Sequence, residues 1–326
     1  MATVAPEMHE PAIPVIPEGD AKVSGRSPRQ LFWARFREDK AAFVGLGVIA
    51  FLFLIAIFAG VISKYIVGHG PNELFQREMT DEFGLPNGPN REFWFGGDQA
   101  GRDVFVRVLY GTRTSLEVAL LATGVAVFVG TIFGLIAGYF GGKSDTFISR
   151  SIDVILSIPI LLFAIGIVAA CSSTAQGCLH GLIKPGLTLV VFVISIFTWP
   201  YIARIVRGNT LAIREREFIE AARSLGAGNI RIMFREVLPN LLAPIIVYST
   251  LLIPSNILFE AGLSYLGLGV PQSTPSWGQM LSDASAIFQF AWWLMLFPGF
   301  FLILTTLAFN LLGDGLRDAL DPRSNR

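Results

Sequence analysis

The chain has 326 residues, of which 52% are apolar and 15% charged, and its mean hydropathy is +0.58. Soluble domains carry about 25% charged residues, so this much apolar side chain cannot hide inside a 35.5 kDa globule, and part of it must face lipid. The 25 basic and 25 acidic residues balance, which leaves no global field for nucleic acid, and two cysteines are too few for a disulfide scaffold and wrong for a zinc site.

The first 30 residues carry Pro6, Pro11, Pro14, Pro17 and Pro28 and read as a disordered tail. Residues 31–40 mix Leu31, Phe32, Trp33 and Phe36 with Arg35 and Arg37, which suits a helix lying at a membrane interface. A transmembrane unit follows over 41–326. A spanning helix needs about 20 mostly apolar residues. Six stretches qualify: Ala41–Ile62, Leu116–Phe140, Ile152–Ala170, Leu182–Ile205, Leu241–Gly262 and Trp292–Leu312. Lipid offers no partner to backbone N–H and C=O groups, so these are helices. None alternates as a membrane barrel strand does. The expected fold is an all-α integral membrane protein. The first stretch lies behind acidic residues and prolines, is long for a signal h-region and lacks a clear cleavage site, so it reads as a retained span. With both termini inside, 18 Lys/Arg fall on the inner side and 7 on the outer, which favours that orientation. It leaves an outer loop at about 63–114 and a long inner loop at about 206–239.

Within the second span, Gly130, Gly134 and Gly138 stand four apart and form a smooth stripe. Such a stripe serves close helix packing, with flexibility for gating as the sharper alternative. Ala137 to Ser144 looks like a loose phosphate loop, but it follows a spanning helix rather than a strand, so it reads as a Gly-rich turn and the chain is expected to bind no ATP of its own. Cys171 and Cys178 fall in the loop between the third and fourth spans, either bonded or as two free thiols. Glu117, Asp153, Glu260 and Asp314 all lie near span ends, which weakens a proton- or sodium-coupled carrier. His9, His69 and His180 lie outside the spans, so no metal site is expected, and no span carries paired catalytic residues. Ser255, Asn256 and Asn310 either line a pore or make helix-packing hydrogen bonds.

The densest polar inner segment runs from Arg204 to Arg235. Gly208 is expected to break the end of the fourth span. Leu211 to Leu225 holds good helix formers, and Gly226 can stop that helix. Phe218, Ala221, Ala222 and Leu225 recur at three and four residues, giving one apolar face. A short amphipathic helix between spans is a docking device for a cytoplasmic partner. The alternative is a helix resting on lipid, which its mixed charge disfavours.

At this segment the chain resembles a known family. Glu220-Ala221-Ala222, with Gly226 four residues on and Leu238-Pro239 beyond, is similar to the EAA motif of ABC-importer permeases. More specifically, the chain resembles the C-type permease subunit of dipeptide/oligopeptide/nickel importers. Gly96-Gly97-Asp98-Gln99-Ala100-Gly101-Arg102-Asp103 is similar to that group's GTDxxGRD, with Gly97 where Thr is usual. Tyr139-Phe140-Gly141-Gly142, Glu260 to Gly269 with Pro275-Ser276-Trp277-Gly278, and Gly313 to Pro322 match further segments, so the resemblance covers about 31–323. It implies a type-I importer permease in the prokaryotic plasma membrane, forming half of a translocation pathway. It implies a homologous second permease, two ATP-binding subunits that hold the ATP and Mg, and an extracytoplasmic substrate-binding protein, with no cofactor in this chain. It assigns ATPase docking to Glu217, Phe218, Glu220, Ala221, Ala222, Leu225, Gly226, Leu238 and Pro239. Di- or oligopeptides, nickel and some oligosaccharides all fit as cargo. A secondary transporter and an intramembrane enzyme are the rival classes, and ATP dependence of transport separates the first.

Overall fold

The computed structural model describes residues 27–172, 177, 178, 181 and 183–320. The expected disorder of 1–26 and the positions of His9 and His180 lie outside them. Helix α1 (Pro28–Glu38) begins three residues before the expected interfacial segment. Pro28 opens it, and Ser27 and Gln30 close a reciprocal capping box. Asp39 accepts from the N–H groups of Ala41 and Ala42 and so starts α2 (Lys40–Val61), which runs on through a π turn (Ile62–Val67) to a left-handed Gly68.

A compact segment containing α3 (Gln76–Met79) leads to α4 (Val104–Phe140). Then come α5 (Gly142–Ser157) and α6 (Ile160–Ser172), followed by α7 (Leu187–Ile213), α8 (Glu217–Ser224) and α9 (Asn229–Arg231). A second π turn (Ile232–Val237) joins α9 to α10 (Leu238–Tyr265). Helices α11 (Trp277–Ala284) and α12 (Trp293–Leu320) complete the order. Among the described residues, extended backbone pairs only in three isolated bridges.

Among the described residues, five helical stretches are long and apolar enough to span a membrane, and α5 with α6 makes a sixth if a pair bent by 86° counts as one span. Three expectations need correction. The third span is not one straight helix. Pro159 pushes Ile158 into extended backbone (φ −83°, ψ 129°), and the polar, amphipathic α5 turns away from the apolar α6. The fourth span does not end at Gly208; α7 continues to Ile213, because a single glycine with open space around it weakens a helix without ending it. The second span starts at Val104, twelve residues earlier than apolar composition alone places it, since Arg107 in this stretch is buried in protein.

The helices alternate between two ends. The proximal end holds α1, the start of α5, α8 and the end of α12; the distal end holds residues 68–103, 177, 178, 183–186 and 266–292. Helices α4 and α7 pack along the glycine stripe. A Cβ on Gly134 would lie 2.7 Å from both the Ala203 carbonyl oxygen and Val206 Cβ, and Gly130 and Gly138 press on Ile202 and Thr210 in the same way. Helices α2, α10 and α12 pack with α4 around Leu52, Leu116, Ile257, Trp277 and Phe309. Phe51, Leu54 and Ile57 on α2 and Phe300, Ile303 and Leu307 on α12 remain outside this core and form an apolar belt suited to lipid.

The distal end is closed by a dense cap. Asp98 accepts from the N–H groups of Ala100 and Arg102, each at 2.9 Å, and from Arg102 Nε at 2.7 Å. Gly101 has φ +77°. A Cβ on Gly97 would meet Met79 Cβ at 2.8 Å, which explains why Gly stands where the resembled motif has Thr. Asp103 caps α4 through the Phe105 N–H, and its Oδ2 lies 2.9 Å from His69 Nε2. Burial raises the Asp103 carboxyl pKa, and the hydrogen bond to His69 opposes that rise. Deeper in, Glu260 is fully buried; it accepts from Ser115 Oγ at 3.0 Å and Ser264 Oγ at 2.7 Å.

Candidate functional site

The sequence-derived docking residues gather on a short platform at the proximal end. Arg216, in extended backbone, precedes α8; Glu217 and Glu220 fall in its first turn and Arg223 in its last, complementing the helix dipole. The helix stops in a Schellman arrangement. The Ala227 N–H donates to the Ala222 carbonyl at 3.0 Å and the Gly226 N–H to the Arg223 carbonyl at 2.9 Å, with Gly226 at φ +80°. Nothing lies within 4 Å of a Cβ built on Gly226, so the backbone conformation and not space requires glycine there.

The faces of α8 differ from the expected pattern. Ile219 is fully buried among Leu135, Tyr139, Ile202, Val206, Ile232 and Val237, with Ala222 packed partly against them. Phe218 is 44% and Leu225 89% exposed, and Ala221 is exposed too. The apolar residues therefore divide in two. Ile219 anchors α8 to its own bundle, while Phe218 and Leu225, with Ile230 and Phe234 beyond them, form an uncovered apolar surface. Sequence reasoning missed Ile219; its three-residue spacing from Ala222 was the available signal.

Polar contacts brace the platform against α4. Arg214 Nη1 donates to the Gly138 and Tyr139 carbonyls at 3.2 and 3.4 Å. Arg223 stacks over the Tyr139 ring at 5.7 Å, and the Tyr139 hydroxyl lies 3.1 Å from Asn229 Oδ1. Arg207 forms a two-point ion pair with Asp145 of α5, including an Nη2–Oδ2 bond of 2.7 Å. Glu220 is exposed and lines a groove of about 620 Å³ with Arg214, Arg223 and Phe140. Leu238 and Pro239 form the first turn of α10, so the platform runs directly into that helix.

The three pathway candidates separate. Asn256 is buried and joins three helices: its Nδ2 donates to Thr123 Oγ1 at 2.8 Å, and its Oδ1 accepts from Thr198 Oγ1 at 3.0 Å. Ser255 is exposed and lines, with Ile160, Tyr201 and Phe259, a cavity of about 260 Å³ beside the α5–α6 bend. Asn310 lies elsewhere, on the exposed α12 face with Ile303 and Leu307. Cys171 and Cys178 are joined by a disulfide at the distal end of α6.

Known proteins agree with this architecture. Residues 130–326 match the model of the binding-protein-dependent transport system inner membrane component family, and residues 27–74 match the N-terminal transmembrane domain of oligopeptide transport permease C. The chain is 42% identical over 312 residues to the dipeptide transport system permease protein DppC of Alkalihalophilus pseudofirmus, covering 95% of each chain. It is 41% identical to the glutathione transport system permease protein GsiD of Escherichia coli, covering 91% of each. Among solved structures, an inward-facing conformation of the MetNI methionine ABC transporter superposes with a TM-score of 0.54 at 20% identity, over 67% of this chain and 97% of that one. That likeness shows a common fold. A helical bundle with five or six spans, a braced platform between α7 and α10, and relatives matched over nearly their whole length make this chain a multi-pass membrane permease subunit that belongs to the binding-protein-dependent transport system inner membrane component family.

Proposed function

We propose that the chain is one of two homologous permease subunits of an ATP-driven peptide importer, with both termini and α8 in the cytoplasm. Two ATP-binding subunits carry ATP and Mg, and an extracytoplasmic binding protein delivers a di- or oligopeptide to the distal end. The chain itself catalyses no reaction. The observation that carries this reading is the divided face of α8, anchored inward by Ile219 and uncovered outward at Phe218 and Leu225. Glu217, Glu220, Ala221 and Gly226 shape the helix for a cleft on the ATPase. Relatives named for dipeptide and glutathione transport support a peptide as cargo.

In the mechanism, ATP closes the ATPase pair and displaces α8. Gly226 and α9 pass the motion to α10, and Arg214 and Arg223 pass it to α4, tilting the bundle from inward- to outward-facing. ATP drives this only through its different affinity for the two states. The test is uptake of a labelled dipeptide into proteoliposomes containing the whole complex. Uptake that needs ATP and the binding protein is expected; uptake driven by an ion gradient without ATP overturns the reading. A reporter after Arg326 is expected to read cytoplasmic and one near Asn87 extracytoplasmic, and the opposite pair overturns the orientation.

A further inference from the structure

A groove of about 390 Å³ runs over the seam between α2 and α4, away from the platform and from the Ser255 cavity. Ala56 and Leu116 form its floor, and both belong to the core that α2 and α4 share with α10 and α12. Phe53, Ile57 and Leu120 give it apolar walls, and Ile57 is also part of the exposed apolar belt of α2. The remaining lining residues are Arg113 and Glu117, one turn of α4 apart and both exposed. Among the described residues, neither side chain has an ion pair or a hydrogen bond. Arg113 precedes Glu117 by four residues, the weaker order for a pair along a helix. The apolar run of α4 begins at Leu116, so the two charges straddle the level at which this helix enters hydrocarbon. Helical side chains lean toward the N-terminus, which for α4 is the distal end, so both heads reach toward the headgroup layer of that leaflet. Charges facing lipid at this depth need a partner.

We propose that this groove holds one phospholipid of the distal leaflet whose headgroup carries a phosphate and a primary ammonium, with the phosphate on Arg113 and the ammonium on Glu117. A guanidinium presents a planar fork of donors that matches a phosphate, and a carboxylate is acceptor-only, as an ammonium requires. Residues four apart on a helix have Cβ atoms about 5–6 Å from each other, so one headgroup lying along α4 meets both. A headgroup with no cation leaves Glu117 without a partner. A trimethylated headgroup brings a cation with no N–H to donate. One acyl chain follows Phe53 and Ile57 along the seam, and the other joins the belt of Phe51 and Leu54. That continuity with the lipid-suited belt favours a lipid over a protein as the occupant.

The experiment is native mass spectrometry on the intact permease–ATPase complex, delipidated in detergent and then supplied with phosphatidylethanolamine, phosphatidylcholine or phosphatidylglycerol carrying identical oleoyl chains. The wild type is expected to keep one phosphatidylethanolamine about tenfold more tightly than either of the others, since each of them loses a hydrogen bond between charged groups. Glu117→Gln should erase that preference. Arg113→Gln should weaken retention of all three lipids, and Arg113→Lys, which keeps the charge, should recover part of it. Both side chains are exposed, so the melting temperature of the lipid-free complex is expected to stay unchanged in every variant. Equal retention of the three lipids by the wild type overturns the proposal. So does a preference that survives in both glutamine variants, which would place the lipid elsewhere on the complex. If the variants instead shed the second permease and leave lipid retention as it was, a protein covers the groove and the proposal is overturned as well.

Discussion

Gly97 and Gly278 in the distal cap and Gly226 on the platform are glycine for opposite reasons. In the distal cap, a Cβ on Gly97 would strike Met79, one on Gly101 would come within 2.9 Å of the Gln76 backbone, and one on Gly278 would come within 2.5 Å of Ala261 Cα. At Gly97 and Gly278 the small residue is needed for space, Gly101 is held by both space and its φ of +77°, and Asp98 and Asp103 use their oxygens on neighbouring N–H groups and side chains. At the platform, Gly226 has open space around it and is needed only for its left-handed backbone, while Phe218, Leu225, Ile230 and Phe234 stay uncovered. The cap is tied together by its own backbone and carboxylate hydrogen bonds, although Phe83 and Phe290 stay uncovered on it. The platform is braced in its attachment and incomplete in its cover, as the proposed coupling role requires.

Four measurements break or sharpen this contrast. The largest effect is expected at the uncovered patch. Leu225→Asp should weaken ATPase attachment by about 30-fold, the loss of one interface anchor worth about 2 kcal/mol, with the permease's own melting temperature unchanged. Unchanged attachment, read by co-purification, would show that the patch faces lipid. Next comes the interior. Gly134→Leu forces a side chain against Ala203 and Val206 and should cost about 1–3 kcal/mol in thermal stability, with weaker assembly following from it. Full stability would mean that α4 and α7 can separate freely.

A smaller effect belongs to the joint. Gly226→Val places a β-branched residue at φ +80° and should cost about 1–2 kcal/mol locally, read as loss of substrate-stimulated ATP hydrolysis, with Gly226→Asn recovering part of it. Equal stimulation in both variants would show that the turn is not under constraint. The smallest concerns Asp103. Its carboxyl pKa is raised in the folded state, so folding gains stability as pH falls through that pKa and loses the gain above it. Asp103→Asn keeps a competent helix cap and should flatten the slope of melting temperature against pH in the mildly acidic range. An unchanged slope would assign the titration elsewhere.

Long apolar runs made the spanning helices legible, because lipid leaves the backbone no alternative. The bend at Pro159 was hidden. Pro200, Pro244, Pro254 and Pro298 all sit inside helices that continue, so proline alone does not distinguish a broken span. What distinguishes it is α5, whose Lys143, Asp145, Arg150 and Asp153 give it a wet side. The start of α4 was hidden by Arg107, a charge that protein rather than water surrounds. At the platform, periodicity revealed that α8 is amphipathic. It could not separate Ile219, which meets the chain's own core, from Phe218 and Leu225, which stay uncovered, since both positions select the same kind of side chain. Glu260 reads as a span-end charge, yet the serines that receive it lie 145 residues away and four residues away in sequence.

The π turn at Ile232–Val237 sits inside an otherwise continuous helical stretch from Asn229 to Tyr265. Such a turn absorbs one extra residue, so that side chains five apart across it, rather than three or four, share a face. The turn is thus a phase setting. It brings Ile232, Met233 and Val237 into register with Leu241 and Ile245 on one core-facing stripe. Removing a single residue from the regular turns of α10 that follow would leave composition and hydropathy almost untouched and yet rotate the platform by about 100° against the rest of that helix, so along this segment spacing carries meaning that residue identity does not.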